Sequence, residues 1–291
     1  MSAQDSPSGR AATHEPGAQF KRLLPPGEPA EAVQIADGLD LQARARAGGE
    51  RPYVILNMAS TVDGRASIGG RSGAIGDRAD RELFHALRAS VDAVMAGAGT
   101  VRVERYGRII PDAPTRRRRV ARGLSEEPLA CIVSGRLSLA PDTPLLAEPA
   151  ARVVVVTPSQ SSLPETPAQL EYVRASRDGL LDLPAAMAEL SRRFAVRTLL
   201  CEGGPHLNGQ LLLAGMVDEL FLSFSPKLAG GEDATGEALR IIAGAQFREP
   251  LALELLGALE SGSTLFLRYG VCASAPERVS RETMPSSSLA S

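Results

Sequence analysis

Cysteine is scarce. The 291-residue chain has three, Cys131, Cys201 and Cys272, far apart and odd in number. That pattern gives no disulfide framework and no zinc spacing, and it suits a reducing compartment, the cytoplasm. No apolar run approaches the roughly 18 residues of a membrane helix, and the polar N-terminal stretch MSAQDSPSGRAATHEPG has no apolar signal core. Neither sign of charge dominates: 32 Lys and Arg against 34 Asp and Glu leave a net charge of −2. Nucleic acid and anionic membrane are therefore not expected as partners. Several chemical signatures are absent too. The sequence has no Gly-rich phosphate loop ending in Gly-Lys-Ser and no Gly-x-Ser-x-Gly elbow. It has no His-x-Glu and no Pro-Cys-x-x-Cys, so neither a zinc deaminase module nor any other metal site is expected.

What is present is ordinary globular material, 44% hydrophobic and 23% charged. Residues 1–50 read as an N-terminal extension. Its first 19 residues, rich in Ser, Ala, Gly and Pro, are expected to be disordered. Within it, 23–29 is an extended segment and 30–45 a short helix or two. A body follows from 51 to 271, and the tail 272–291 again reads as disordered. The run TRRRRVARG (115–123) reads as a solvated loop.

In the body, strands and helices alternate. Strand patterns lie at 53–60, 91–97, 129–135, 151–158, 170–176, 197–202 and 218–228, with a hairpin over 251–271 turning near Ser261-Gly262-Ser263. Helical patterns lie at 80–90, 183–194 and 207–215. The fold class is α/β: a mixed, mostly parallel sheet between two helical layers, with an antiparallel C-terminal edge. Such sheets bind ligands at the carboxyl ends of their strands.

Four of those ends carry small or polar residues: Ser60-Thr61 before the turn Asp63-Gly64, then Gly97-Ala98-Gly99-Thr100, Ser134-Gly135-Arg136 and Glu202-Gly203-Gly204-Pro205. On one edge they would form a glycine- and hydroxyl-rich groove between two carboxylates. Glycines admit a pyrophosphate to the backbone, and the helix after Pro205 would offer it free N–H groups. This suggests a dinucleotide. The Gly97 motif lacks the third glycine of the Rossmann fingerprint, since Arg102 stands there, and a tight turn also accounts for Gly97 and Gly99. Ser134 and Arg136 are either turn residues or a 2′-phosphate site favouring NADPH over NADH. Glu202, at the end of a buried strand, is costly unless paired. It either caps the next helix or faces a ligand.

The segments 51–65, 87–102, 132–136 and 201–220 together resemble the reductase domain of the bacterial riboflavin-pathway deaminase–reductase, a dihydrofolate-reductase-like fold. The resemblance spans roughly 51–271 and implies a stand-alone reductase without the deaminase half, and a homodimer. It implies NADPH-dependent reduction of 5-amino-6-(5-phosphoribosylamino)uracil to its ribitylamino form. Carried over by motif, Ser60, Thr100 and Ser134 contact the cofactor, as does the loop from Gly204 through Pro205, His206 and Leu207 to Gln210. Ser72, Arg88, Glu104 and Glu202 contact substrate. Glu202 and Asp63 are the candidates for handling the proton. Ala74 stands where many members carry tryptophan. After Gly-Thr-Val the family often reads Asp-Asp-Pro-x-Leu and then an arginine, whereas this chain reads RVERYGRII (102–110). A dihydrofolate- or pteridine-type reductase would keep the cofactor site and differ in that loop. A non-catalytic nucleotide-binding protein would keep the glycines alone.

Overall fold

An eleven-stranded sheet runs through the computed structural model, which describes residues 17–47, 49–231 and 239–272. The described chain opens with the hairpin β1 (Gln19–Leu24) and β2 (Pro26–Glu31), then α1 (Ala32–Asp37) and α2 (Leu41–Ala47). Next come β3 (Tyr53–Thr61), α3 (Arg78–Arg88), β4 (Ala93–Gly97), α4 (Ala98–Val103), α5 (Ala113–Ala121), β5 (Leu129–Val133), β6 (Arg152–Thr157) and β7 (Gln169–Arg174). A separate small hairpin, β8 (Ser176–Arg177) and β9 (Leu180–Leu181), precedes α6 (Leu183–Phe194), β10 (Thr198–Cys201), α7 (Pro205–Leu213), β11 (Glu219–Ser225), β12 (Leu253–Ser261) and β13 (Thr264–Val271). The sheet order is β2-β1-β12-β13-β11-β3-β10-β4-β5-β6-β7. From β11 to β7 every neighbour is parallel, and from β11 back to β2 every neighbour is antiparallel. This is the mixed sheet expected from the sequence.

Side-chain alternation explains the layers. In β3, Ile55 joins one core with Leu83 and Leu87 of α3, while Val54 and Leu56 join the other with Met187 and Leu190 of α6 and Leu211 of α7. Because β4, β5 and β6 are buried on both faces, they read as continuous apolar runs.

Two differences from the sequence expectation have clear causes. Residues 19–47 are built into the sheet and its core: β1 pairs with β12, and the buried Phe20 ring meets Phe266 edge to face at 5.1 Å. The boundary expected at 51 therefore does not separate an extension from the body. Residues 1–16 and the tail beyond 272 lie outside the described residues. The basic run is helix α5, not a loop, with its N-cap supplied by Asp112. Its Arg119 is fully buried and donates to the carbonyls of Arg88, Val91 and Ser125. There it neutralises the carbonyl end of α3, and burial lowers its pKa to about 10.

Candidate active site

The parallel order β3-β10-β4-β5 sets the four polar strand ends side by side on one edge. The ends of β10 and β4 are joined: Glu202 N–H donates to Met95 O at 2.9 Å, and Gly97 N–H donates to Gly203 O at 2.7 Å. The Gly203–Gly204 peptide is cis. Gly203 has φ +90°, and a Cβ on Gly204 would stand 2.8 Å from Thr100 Oγ1, so this joint accepts no side chain. Gly204→Val should displace Thr100 and α4 at a cost of about 1–3 kcal/mol. We expect a folded protein with a lowered melting temperature and no measurable NADPH binding by titration. Normal binding would show that the two glycines serve the turn alone.

Below this edge lies a cavity of about 360 Å³. α3 builds one wall. Asp77 caps it by accepting from Asp80 N–H at 2.9 Å, and Leu83, Ala86 and Leu87 bury its core side. The i, i+4, i+8 spacing then aligns Asp80, Phe84 and Arg88 along the cavity stripe. The loop after α4 supplies Glu104, Arg105 and Tyr106 to the opposite side, with Ser72, Thr100 and Glu202 completing the lining.

Glu202 is paired. Arg88 Nε donates to its Oε1 and Nη2 to its Oε2, both at 2.7 Å, and Tyr106 OH also donates to Oε2. The Arg88 and Glu202 side chains are 11% and 3% exposed, so each neutralises the other's desolvation. Three of about four acceptor positions on the carboxylate are taken. The Arg88 guanidinium also lies 4.2 Å from the Phe84 ring centroid and 5.2 Å from that of Tyr106. Burial of Arg88 works against its charge, but Glu202 raises its pKa above the ordinary arginine value. Burial, then the Glu202 charge, raises Tyr106 well above the usual phenol range, so Tyr106 keeps its proton.

All four substrate candidates, Ser72, Arg88, Glu104 and Glu202, line this one cavity, and Thr100 joins them. Ser72 and Glu104 also bond each other: Ser72 N–H and Oγ donate to Glu104 Oε1 at 2.8 and 2.9 Å. Of the loop arginines, Arg105 lines the cavity with an exposed guanidinium that has no partner among the described residues. Arg102 donates to Ser138 O at 3.2 Å, and Arg108 is paired with Glu127.

Asp63 is placed elsewhere. It does not line the cavity but accepts from Thr61 Oγ1 and from the N–H groups of Gly230 and Ala229. Those bonds, the Thr61 one first, lower its pKa to about 2 and tie the turn after β3 to residues 229 and 230. Thr61 is fully buried within the same turn, and its hydroxyl also accepts from Arg65 N–H. Ser60 is buried and donates to Thr61 O. The Leu207 side chain belongs to the core under the sheet, so only its backbone faces the groove edge. The sequence reading gave no site role to Tyr106, which sits in the loop that departs from the family pattern, nor to Phe84 and Asp80 of the helix expected at 80–90. The missed signal was the fourfold spacing of Asp80, Phe84 and Arg88.

Residues on the upper edge fit a dinucleotide. A Cβ added at Gly99 or Gly135 meets nothing within 4 Å, leaving open space over both turns. Gly204, the N-cap of α7, offers no side chain to the first-turn amides, so His206 and Leu207 N–H have no partner among the described residues. Ser134 is buried with its Oγ accepting from Ser138 N–H, and the Arg136 guanidinium is exposed and has no partner among the described residues. Pro205 is the first residue of α7, and its missing N–H is lost where none is needed. Among the described residues no cluster of three or more His, Cys, Asp or Glu could hold a metal ion, and no helix is long and apolar enough to cross a membrane.

The RibD C-terminal domain pattern matches residues 52–267. The chain is 31% identical over 228 residues to the 2,5-diamino-6-ribosylamino-4(3H)-pyrimidinone 5′-phosphate reductase of Methanothermobacter thermautotrophicus, covering 76% of this chain and 99% of that protein. It is 29% identical over 214 residues to the riboflavin biosynthesis protein RibD of Escherichia coli, covering 71% of this chain and 55% of that one. Among solved structures it is similar to a pyrimidine reductase-like protein from Corynebacterium diphtheriae, with a TM-score of 0.66 and 24% identity, covering 84% of this chain and all of that one. That last likeness speaks to the fold.

Proposed function

The chain belongs to the RibD C-terminal domain family, and from that premise we propose that it reduces a ring-opened ribosylamino-pyrimidine phosphate to its ribityl form in riboflavin biosynthesis, with NADPH as reductant. It is an oxidoreductase of the pyrimidine-reductase type and takes a nicotinamide cofactor. The observation that carries the reading is the Arg88–Glu202–Tyr106 cluster lining one cavity, with Glu202 three residues before α7 and its unfilled first-turn amides.

When bound, the dinucleotide supplies a hydride for the C1′ carbon of the substrate. The chain's own groups hold and orient. The first-turn amides of α7, at His206 and Leu207, take the pyrophosphate. Ser134 and Arg136 take the 2′-phosphate. Arg88 and Tyr106 fix Glu202 with one acceptor position left for a substrate N–H. Phe84 gives the pyrimidine an apolar wall that excludes water, and the exposed Arg81 and Arg105 at the cavity lining take the sugar phosphate. Bringing donor and acceptor carbons to about 3–3.5 Å is the chief catalytic task. A homodimer and a cytoplasmic location complete the proposal.

The direct test is oxidation of NADPH by the purified protein on addition of the pyrimidine phosphate. Absence of oxidation overturns the assignment. A second test concerns cofactor choice. Arg136→Ala should weaken NADPH binding by about 1.5–3 kcal/mol, the strength of a charged hydrogen bond, and leave NADH binding nearly unchanged. Equal losses for both cofactors would remove the 2′-phosphate role.

A further inference from the structure

Of the 32 lysines and arginines in the chain, two are lysines, Lys21 and Lys227. Lys227 stands where the geometry asks for an ammonium. It lies two residues after β11, and its Nζ donates to three consecutive carbonyls, those of Ala74, Ile75 and Gly76, at 2.9, 2.8 and 3.4 Å. An ammonium carries three N–H groups on one small centre, which suits acceptors that converge on a point. A guanidinium spreads its donors over a flat fork. The backbone of Lys227 is fixed as well. Its carbonyl accepts from Val62 N–H at 3.0 Å, and its N–H donates to Ser225 O at 2.7 Å. Val62 directly follows β3, which pairs with β11, so the ammonium ties the segment 72–76 to the joined ends of these two strands.

That segment is a wall of the cavity. Ser72, Gly73 and Gly76 line it, and Lys227 does not. Inside the segment, Ile75 is fully buried and its N–H donates to Ser72 O at 2.9 Å, while Ser72 N–H and Oγ reach Glu104 on the far side. Gly76 lies so close to Asp80 that an added Cβ would stand 2.1 Å from its Oδ2. Asp80 accepts from the Ser223 hydroxyl and stands beside the charges of Lys227 and Arg81. The same ammonium therefore holds the carbonyls of the wall and faces the carboxylate on which the wall rests. Resting on the function proposed above, we infer that Lys227 is a positioning residue for the pyrimidine phosphate. It acts through residues 72–76, whose placement sets the space between Ser72, Glu104 and Phe84. The residues that fit the dinucleotide lie on other elements, at Gly99, Ser134 to Arg136 and α7.

Lys227→Arg tests this, because it keeps the charge beside Asp80 and replaces the compact ammonium by a fork. KM for the pyrimidine phosphate should rise about tenfold or more, toward the roughly 10²-fold that a misplaced site element can cost, with NADPH affinity unchanged. Lys227→Ala should show the same split. Propylammonium, which replaces the deleted stem and its ammonium, should then restore KM, whereas potassium and tetramethylammonium, which donate no hydrogen bond, should not. Hydrogen exchange reads the fastening without any substrate. The amides of Ser72 and Ile75 should exchange faster in both variants, and propylammonium should slow them again in Lys227→Ala. A folded Lys227→Arg with wild-type KM overturns the positioning role, as do equal losses of pyrimidine and NADPH binding or an unmoved exchange rate. A Lys227→Arg chain that does not fold overturns it too, by making the lysine a requirement of the fold alone. If the wild type turns over no pyrimidine phosphate while the exchange results hold, the proposed function falls and the fastening stands, which is a distinct result.

Discussion

Glu202→Gln should destabilise the protein by about 3–5 kcal/mol, the cost of leaving a buried ion without its partner, and should cut turnover by about 10²–10⁴-fold, the span of a positioned acid–base group. The carboxylate was expected from the sequence to contact substrate, but the structure gives it a prior task. It is the counter-ion of Arg88, whose guanidinium has almost no access to water and no other acidic partner in the cavity wall. Glutamine accepts one of the two guanidinium bonds and turns N–H groups toward the other. It also loses the acceptor for the Tyr106 proton. Thermal melts and NADPH-oxidation rates read the two effects. The double variant Arg88→Met/Glu202→Leu separates them. Removing both charges should restore most of the stability, since apolar replacements of a buried pair are often neutral or better, while turnover stays lost. Single and double variants that all keep wild-type turnover would exclude Glu202 from the chemistry.

What was legible in the sequence followed from burial. β6 and α6 read correctly because a doubly covered strand must be apolar throughout and a one-sided helix must repeat near every fourth residue. Glu202 was legible as an anomaly, a charge where the strand should still be apolar. Its partner was legible only through resemblance, because Arg88 lies 114 positions away and nothing local marks it. The basic run 115–123 was misread for a related reason. Four consecutive arginines look solvated, yet one of them, Arg119, enters the interior to meet the carbonyl end of α3, and its outward neighbours conceal it. Asp63 misled in the opposite sense. A carboxylate at a strand end looks chemical, and here its acceptors are consumed by the backbone of residues 229 and 230, which the chain brings back from far away. Tyr106 was hidden because the loop that holds it departs from the family pattern, so no motif assigned it a role.

That loop also carries the last expected result: kcat/KM for the ribosylamino-pyrimidine phosphate should exceed that for dihydrofolate by roughly 10²–10⁴-fold, two charged hydrogen bonds at about 1.5–3 kcal/mol each. The phosphate separates the two substrates, because dihydrofolate carries none. Arg88 and Arg108 are committed to Glu202 and Glu127, which leaves Arg105 on the loop as the cavity guanidinium without an acidic partner among the described residues, and Arg81 on α3 with only the charge of the adjacent Asp80 beside it. Arg105 has φ +51°, in the left-handed region, just after α4 ends. Replacing either arginine by alanine should raise KM for the phosphate substrate about tenfold or more and leave dihydrofolate nearly unaffected. Added salt should act in the same direction, because both guanidiniums are exposed. Side-by-side kinetics with the two substrates decide the matter. A higher kcat/KM for dihydrofolate would remove the ribosylamino-pyrimidine assignment and put a pteridine reductase in its place, with the two arginines left without a phosphate to hold.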